Sequence, residues 1–461
     1  MIDVQARRST NPTDWTLSRA PTPEPSWRTL DDTERWRSIP GWADVPRGVF
    51  LDHRWQEAEA LTKPADLRAV LGDRVSDAFL ADLEAGLARS PMSLRLSPYL
   101  ASLVDWDDPV ADPLRRQFLP LGSEAEPDHP LLSIDANREQ ADAPVEGITH
   151  RYPDRVLFLP TDRCPVYCRY CTRSYAIGLD TPVVAKRGLA QQASRWEAAF
   201  AWLEAHPEVE DVVVSGGDAF RLKPAQIRAV GARLLAIPHV RRFRFATKGL
   251  AVQPMKLLSD ADWTAAIVDT AEAGRRLHKQ VAVHTHFNHP REITAVTEAA
   301  VHQLVGRGIV VRNQSVLLRG VNDDLDVHLA LLRRLAWIGI QPYYVYVGDL
   351  VPGVEDLRTS VARGEVLSKA VRGALAGFNT PLFVVDAPGG GGKRDVFSHE
   401  RYDRETGLAV YAAPSVRPGA LFLYADPLRT LSADIRRRWA DERCRREMVE
   451  DALAAARRDG A

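Results

Sequence analysis

The run VLFLPTDRCPVYCRYCTRSY, residues 156–175, begins as an apolar strand candidate at 156–159 and opens directly into Cys164, Cys168 and Cys171. The C-x3-C-x2-C spacing gathers three thiolates in one loop. That is one fewer than a fully protein-ligated cubane iron–sulfur cluster takes. A cluster held by three protein ligands keeps one iron open to a small molecule, so the motif points to chemistry rather than reinforcement. The competing reading is a structural zinc loop, which is normally closed by four ligands. Its fourth ligand would be a histidine or Cys444, which lies far along the chain in the charged run DERCRREM.

Outward from this strand, similar short runs recur at 212–215 (VVVS), 243–246 (FRFA), 281–286 (VAVHTH), 309–316 (IVVRNQSV), 342–347 (PYYVYV) and 382–385 (LFVV). Stretches with helical periodicity separate them, as at 224–236, 291–306 and 325–338. The alternation predicts an α/β fold with a parallel sheet of βα units, most simply a full or partial barrel. The polar and glycine-bearing motifs sort to the C-terminal ends of these strands. The cysteines follow the first strand, Gly216-Gly217-Asp218 the second, and Thr247-Lys248-Gly249 the third. His286, Asn288 and His289 follow the fourth, Gly348-Asp349 the sixth, and Asp386 through Lys393 the last. In βα barrels that end carries the active site.

Four segments are expected: an extended arm at 1–45, a helical region at 46–145, the barrel core at 146–394 and an extension at 395–461. The extension holds an apolar run at 419–424 and a charged helix near 431–458.

The 461 residues are 45% hydrophobic, enough for one large domain with appendages. A net charge of −1 leaves no field to recruit nucleic acid or an anionic membrane. Four cysteines, three in one motif, make no disulfide framework and fit a reducing compartment. There is no apolar leader and no run approaching the ~20 apolar residues of a membrane span. A cytoplasmic location is expected.

The second informative motif is Pro388-Gly389-Gly390-Gly391-Gly392-Lys393. Consecutive glycines let backbone approach a flat ligand and present N–H groups to a phosphate. A desolvated lysine at the end of such a loop loses its proton readily and condenses with a carbonyl cofactor. The loop is not a P-loop, because Arg394 stands where Ser or Thr is required. A flexible surface loop is the alternative.

TDRCPVYCRYCTR (161–173), taken with HRYPDRV (150–156), SGGDAF (215–220), HTHFNHP (284–290), NQSVLLRGVND (313–323), QPYYVYVGDL (341–350) and VVDAPGGGGK (384–393), resembles the lysine 2,3-aminomutase family of radical S-adenosylmethionine (SAM) enzymes. The resemblance runs from roughly residue 50 to 395. It implies a partial (β/α)6-type radical SAM barrel with a helical N-terminal region and a C-terminal extension. It implies an isomerase that moves the α-amino group of a basic amino acid to the β-carbon. Cys164, Cys168 and Cys171 would hold a [4Fe–4S] cluster whose open iron is chelated by SAM. Gly216, Gly217 and Asp218 match the segment that receives the methionine end of SAM. Lys393 would hold pyridoxal 5′-phosphate (PLP) covalently, with Arg151, Tyr152 and Arg155 packed near it, an arginine being able to grip the phosphate bidentately. Arg173 matches the arginine that binds the substrate α-carboxylate, and Asp349 and Asp386 match the carboxylates that receive a distal ammonium. His284, His286 and His289 resemble positions near SAM, with a satisfied polar core as the alternative.

Two aspartates in a closed site favour a distal cation and repel a distal carboxylate, by about 4 kcal/mol per unit pair at 4 Å and an effective dielectric near 20. L-lysine to β-lysine is the expected reaction. An arginine or modified-lysine 2,3-aminomutase is the competitor within the class, and a non-enzymatic metal-binding scaffold the competitor outside it. The sequence departs from the family at Gly348, where a cysteine is common, and in the shortened run Arg173-Ser174-Tyr175. It also lacks the cysteines that bind structural zinc in some members. An electron donor such as a flavodoxin or ferredoxin is implied, and a homo-oligomer is expected because the arm and extension need something to pack on.

Overall fold

The computed structural model describes residues 26–189 and 192–459. The strands of the main sheet are β1 (Ile148–Tyr152), β2 (Arg155–Phe158), β3 (Asp211–Val214), β4 (Arg242–Thr247), β5 (Gln280–Thr285), β6 (Val310–Leu317), β7 (Gln341–Val347), β8 (Leu382–Ala387) and β9 (Gly392–Asp395). β2 through β8 run parallel and pair in chain order. β1 pairs antiparallel with β2 at one edge, and β9 antiparallel with β8 at the other. No ladder joins β1 to β9, so the barrel is open on that side. Successive parallel strands are crossed over by the helices Ala193–Glu204, Pro224–Ala236, Ala261–Arg276, Ala295–Val305, Leu325–Trp337 and Val361–Val371. Six βα units and a last strand thus form the partial barrel that the alternation predicts.

The strands alternate fully buried with half-buried positions. Val212, Val214, Phe243, Phe245 and Val311 point outward and pack under the helices in the main core. The half-buried set, including Arg244, Ala246, Gln314, Tyr344 and Tyr346, faces the lumen. In a closed (β/α)8 barrel such layers fill the interior. Here they line a cavity of about 620 Å³.

Residues 1–25 of the expected arm lie outside the described residues. From 26 to 45 the chain forms short 3-10 turns that bury Trp36, Ile39 and Trp42, with Trp36 stacked on Phe50 at 4.2 Å between ring centres. This stretch is therefore packed on the core rather than free. The helical region that follows includes Pro64–Leu71, Asp77–Ala88, Pro98–Leu103 and Pro113–Phe118.

After β9 the extension forms a separate antiparallel sheet of β10 (His399–Asp403), β11 (Leu408–Ala412) and β12 (Leu421–Ala425). The expected C-terminal helix is two, Ala433–Ala440 and Glu442–Asp459, divided at Asp441. Tyr424 Oη donates to the carbonyl of Gly348 at 2.7 Å, and Phe422 lies against Gly391. The extension thus packs on its own barrel, which removes the packing reason for expecting an oligomer. Among the described residues no helix is long and apolar enough to cross a membrane.

Candidate active site at the barrel mouth

The loop after β2 has almost no regular structure, so its position depends on contacts from elsewhere. Tyr167 N donates to Arg95 O at 3.0 Å, and Arg169 N to Gln117 O at 3.0 Å, both acceptors belonging to the N-terminal region. The Arg169 guanidinium grips Asp356, beyond β7, at 2.8 and 3.2 Å in a buried pair. Around these anchors Cys164, Cys168 and Cys171 are free thiols that line the cavity. Burial pushes all three thiols up, Cys168 to about 12 even with Lys248 opposing. A positively charged inorganic centre is what would stabilise them as thiolates. Among the described residues no trio of His, Cys, Asp or Glu donors converges on a single ion. The donor set of three soft thiols at the edge of a chamber suits a cluster with an open corner.

Gly216, Gly217 and Asp218 also line the cavity, and their backbone meets the start of the cysteine loop. Gly217 N donates to Thr161 O at 2.5 Å, and Asp218 N to Arg163 O at 2.9 Å. Gly216 has φ +93°, and a Cβ on either glycine would strike the carbonyl oxygen of Thr161 or Arg163. The buried Asp218 carboxylate accepts from Phe220 N at 2.8 Å and Lys248 N at 2.7 Å. The turn is thus a brace between two loops as well as part of the chamber wall.

Lys393 stands on β9, an element with no β-branched residue to announce it. The antiparallel register sets Asp386 directly opposite Lys393, which puts both side chains on one face. Lys393 Nζ donates to Asp386 Oδ2 at 3.3 Å and lies 5.5 and 5.7 Å from the ring centres of Tyr346 and Tyr152. Burial works to lower the lysine, but Asp386, Tyr346 and Tyr152 outweigh it and hold it well above the usual ammonium range. The expectation of a readily deprotonated amine is corrected: the cross-strand carboxylate keeps it charged. The hydroxyl of Tyr152 accepts from Lys393 N at 2.8 Å, and a Cβ on Gly392 (φ +71°) would stand 2.6 Å from it.

Arg151 uses Nε on Asp142 at 2.9 Å and Nη2 on Asn137 O, while Nη1 lies 3.8 Å from Asp386 Oδ1. Arg155 covers the Tyr152 ring at 3.9 Å and pairs with Asp154 at 2.8 Å. Asp349 and Asp386 line the chamber beside Lys393, and each keeps a buried Oδ1 with no hydrogen-bond partner. Burial, then the neighbouring Asp386, pushes Asp349 up to about 7. Burial also acts to raise Asp386, but Lys393 and Arg151 prevail and lower it. The orphaned oxygens, the lysine and the chamber volume fit a carbonyl cofactor and a cationic substrate group.

Arg173 is held by Glu139, a residue the sequence reading passed over because the stretch 121–146 has no periodicity or motif. Nε and Nη2 donate to its two oxygens at 2.8 and 2.9 Å, and Tyr175 Oη donates at 3.0 Å. Arg242, Arg244 and Arg312 also line the lumen and were missed, although strand alternation in RFRFAT places the first two on the inward side. His284 and His286 line the cavity and His289 does not. Burial drives all three down to about 3, so they are neutral. His286 is satisfied by Gln314 O at 2.6 Å and Tyr170 Oη at 3.1 Å, and His289 caps a turn at Arg291 N.

Three free thiols at the mouth of a partial parallel barrel are the donor set and the placement that a radical SAM enzyme with an iron–sulfur centre would use. No family model matches the chain. The L-lysine 2,3-aminomutase of Bacillus subtilis is 35% identical over 360 residues, 78% of this chain and 71% of that protein. The L-lysine 2,3-aminomutase of Clostridium subterminale is 37% identical over 355 residues, 77% of this chain and 79% of that protein. The glutamate 2,3-aminomutase of Clostridioides difficile is 33% identical over 300 residues, 65% and 66% of the two chains. A radical SAM methyltransferase structure from Sphaerobacter thermophilus aligns at 20% identity with a TM-score of 0.34, covering 52% of this chain and 68% of that one, too distant to transfer anything. The chain belongs to the lysine 2,3-aminomutase family and is an isomerase.

Proposed function

We propose that this enzyme is a PLP-dependent 2,3-aminomutase acting on a basic amino acid, with L-lysine converted to β-lysine. The observation that carries the reading is the pair of buried carboxylates, Asp349 and Asp386, facing the chamber beside Lys393 with oxygens unpaired. When bound, the cluster and SAM supply a radical that removes a substrate hydrogen, and PLP supplies the carbonyl that holds the migrating amine.

The chain's own residues do the rest. Cys164, Cys168 and Cys171 would hold the cluster, the Gly216-Gly217-Asp218 turn would receive SAM, and Lys393, near Tyr152 and Tyr346, would hold PLP. Arg151, tied to Asp142 and Asn137, and Arg155, over the Tyr152 ring, would add positive charge near the cofactor. Arg173 takes the α-carboxylate. A Lys393 amine engaged by the cofactor would no longer neutralise Asp386, and a distal ammonium of the substrate would restore the balance. Like charge disfavours a distal carboxylate there, by about 4 kcal/mol for each unit pair at 4 Å and an effective dielectric near 20. That argues against the glutamate specificity named for one relative. A small reducing protein of flavodoxin or ferredoxin type would supply the electron.

The test is a product assay on anaerobically reconstituted protein with SAM, PLP and a reductant, across lysine, arginine and glutamate. β-Lysine is the expected product. Turnover of arginine without lysine overturns the substrate, and failure of borohydride to trap PLP on Lys393 overturns the cofactor.

A further inference from the structure

Arg173 is expected to read the substrate carboxylate, yet one edge of its guanidinium is already taken. Nε and Nη2 point at Glu139 in a bidentate pair at 2.8 and 2.9 Å. Glu139 is itself fixed: it is buried, its backbone N donates to Asp135 Oδ1 at 2.8 Å, and it receives Tyr175 Oη at 3.0 Å. A guanidinium has five N–H donors in a rigid fork. Glu139 uses two, which leaves both hydrogens of Nη1 and one of Nη2. One hydrogen on each Nη forms the adjacent, end-on edge and the other Nη1 hydrogen points toward the Cδ side; Nη1 is 3.5 Å from Ser215 Oγ in the chamber wall.

We propose that Glu139 is a positioning residue for amino-acid recognition: it occupies the side-on edge of Arg173 so that only the end-on edge receives the substrate α-carboxylate. The proposal rests on the aminomutase reading of this chamber. Its physical content is that a carboxylate can form a two-bond fork with either edge of a free guanidinium. Docking on the wrong edge would carry the α and β carbons away from Lys393 and the cysteine triad, and a displacement near 1 Å costs on the order of 10²-fold in rate. Glu139 removes that ambiguity without touching the substrate. Arg173, Glu139, Lys393 and the three cysteines all line the same cavity, so the edge that is offered sets the substrate's distance to both reactive ends.

The experiment compares wild type with Glu139→Gln, which keeps the shape and removes the charge. Binding of L-lysine and of L-lysinamide, which lacks the carboxylate, is measured calorimetrically on reconstituted holoenzyme without reductant, so that nothing turns over. Wild type is expected to prefer lysine, and Glu139→Gln to lose most of that preference. In steady state the variant's KM for lysine should rise more than its kcat falls, with kcat/KM down on the order of 10²-fold and iron per chain unchanged. A variant with wild-type KM and wild-type lysine preference, losing only kcat together with iron, overturns the proposal and leaves Glu139 a structural residue. If Glu139→Gln does not fold, Tyr175→Phe removes only the hydroxyl that holds Glu139 and is expected to weaken the preference in the same direction; an unchanged preference there overturns it too. A wild type that prefers lysine to lysinamide but turns over no basic amino acid sinks the aminomutase reading alone.

Discussion

Asp349 and Asp386 are chemically identical and sit side by side, but their surroundings drive them apart. Asp386 has Lys393 across the hairpin and Arg151 within 3.8 Å, and stays ionised. Asp349 has burial and the Asp386 charge against it, opposed by Lys393 and a hydrogen bond from Asn137. Its folded-state pKa of about 7 lies above the ordinary 3.8. The sign follows from linkage: the protonated form adds stability that is complete below about pH 4 and is lost as pH rises to about 7. Asp349→Asn removes that loss, so the Tm of the cofactor-free variant should gain on wild type across this rise; a gap that does not change with pH counts against a burial-raised carboxylate. With cofactors present, Asp349→Asn and Asp386→Asn should each lower kcat/KM for lysine by about 30-fold, equivalent to about 2 kcal/mol. The same assay with glutamate should show no such loss. Lys393→Ala should leave no borohydride-trapped PLP.

The two glycine turns look alike in sequence and serve different geometries. In the Gly216-Gly217 turn the missing side chains let backbone touch backbone beneath the cysteine loop. Gly217→Ala forces a Cβ onto Arg163 O, an overpacking of about 1–3 kcal/mol. The cysteine loop should lift before the barrel unfolds. Iron per chain after reconstitution should therefore fall while far-ultraviolet circular dichroism stays near wild type; full iron content would show that the brace is dispensable. The four-glycine turn closes the hairpin that puts Lys393 opposite Asp386. Neither β1 nor β9 was readable beforehand. GKRD carries little β preference and ITHRY, though it holds Ile, Thr and Tyr, is only five residues long; both pair antiparallel with a neighbouring strand at a sheet edge.

The appendages at either end of the chain work as supports for the site. The N-terminal region supplies the backbone partners of the cysteine loop, and the buried Arg169–Asp356 pair ties that loop to the segment after β7. The extension presses Phe422 against the glycine turn, fastens Tyr424 to Gly348, and sends Arg417 to Asp142, which in turn holds Arg151. Breaking a buried ion pair from one side costs about 3–5 kcal/mol. Asp356→Ala should lower Tm accordingly and abolish stable iron loading, though residue 356 is no ligand. Iron retained at wild-type level would mean the loop is held by its backbone contacts alone.

The order of strands, their parallel pairing and the sorting of reactive residues to one end could be read from the chain, because hydrophobic periodicity is local and barrel topology follows from it. The three thiols and Lys393 could be singled out as candidates for a similar reason, since cysteine triplets and glycine runs are rare enough to stand out, and the structure brings them to one cavity. The protonation of Lys393, the opposed behaviour of the two aspartates and the capture of Arg173 by Glu139 were not legible. Each depends on a charge brought near by folding across a separation the sequence does not encode, and Coulomb energy responds to that distance and to burial, not to position along the chain.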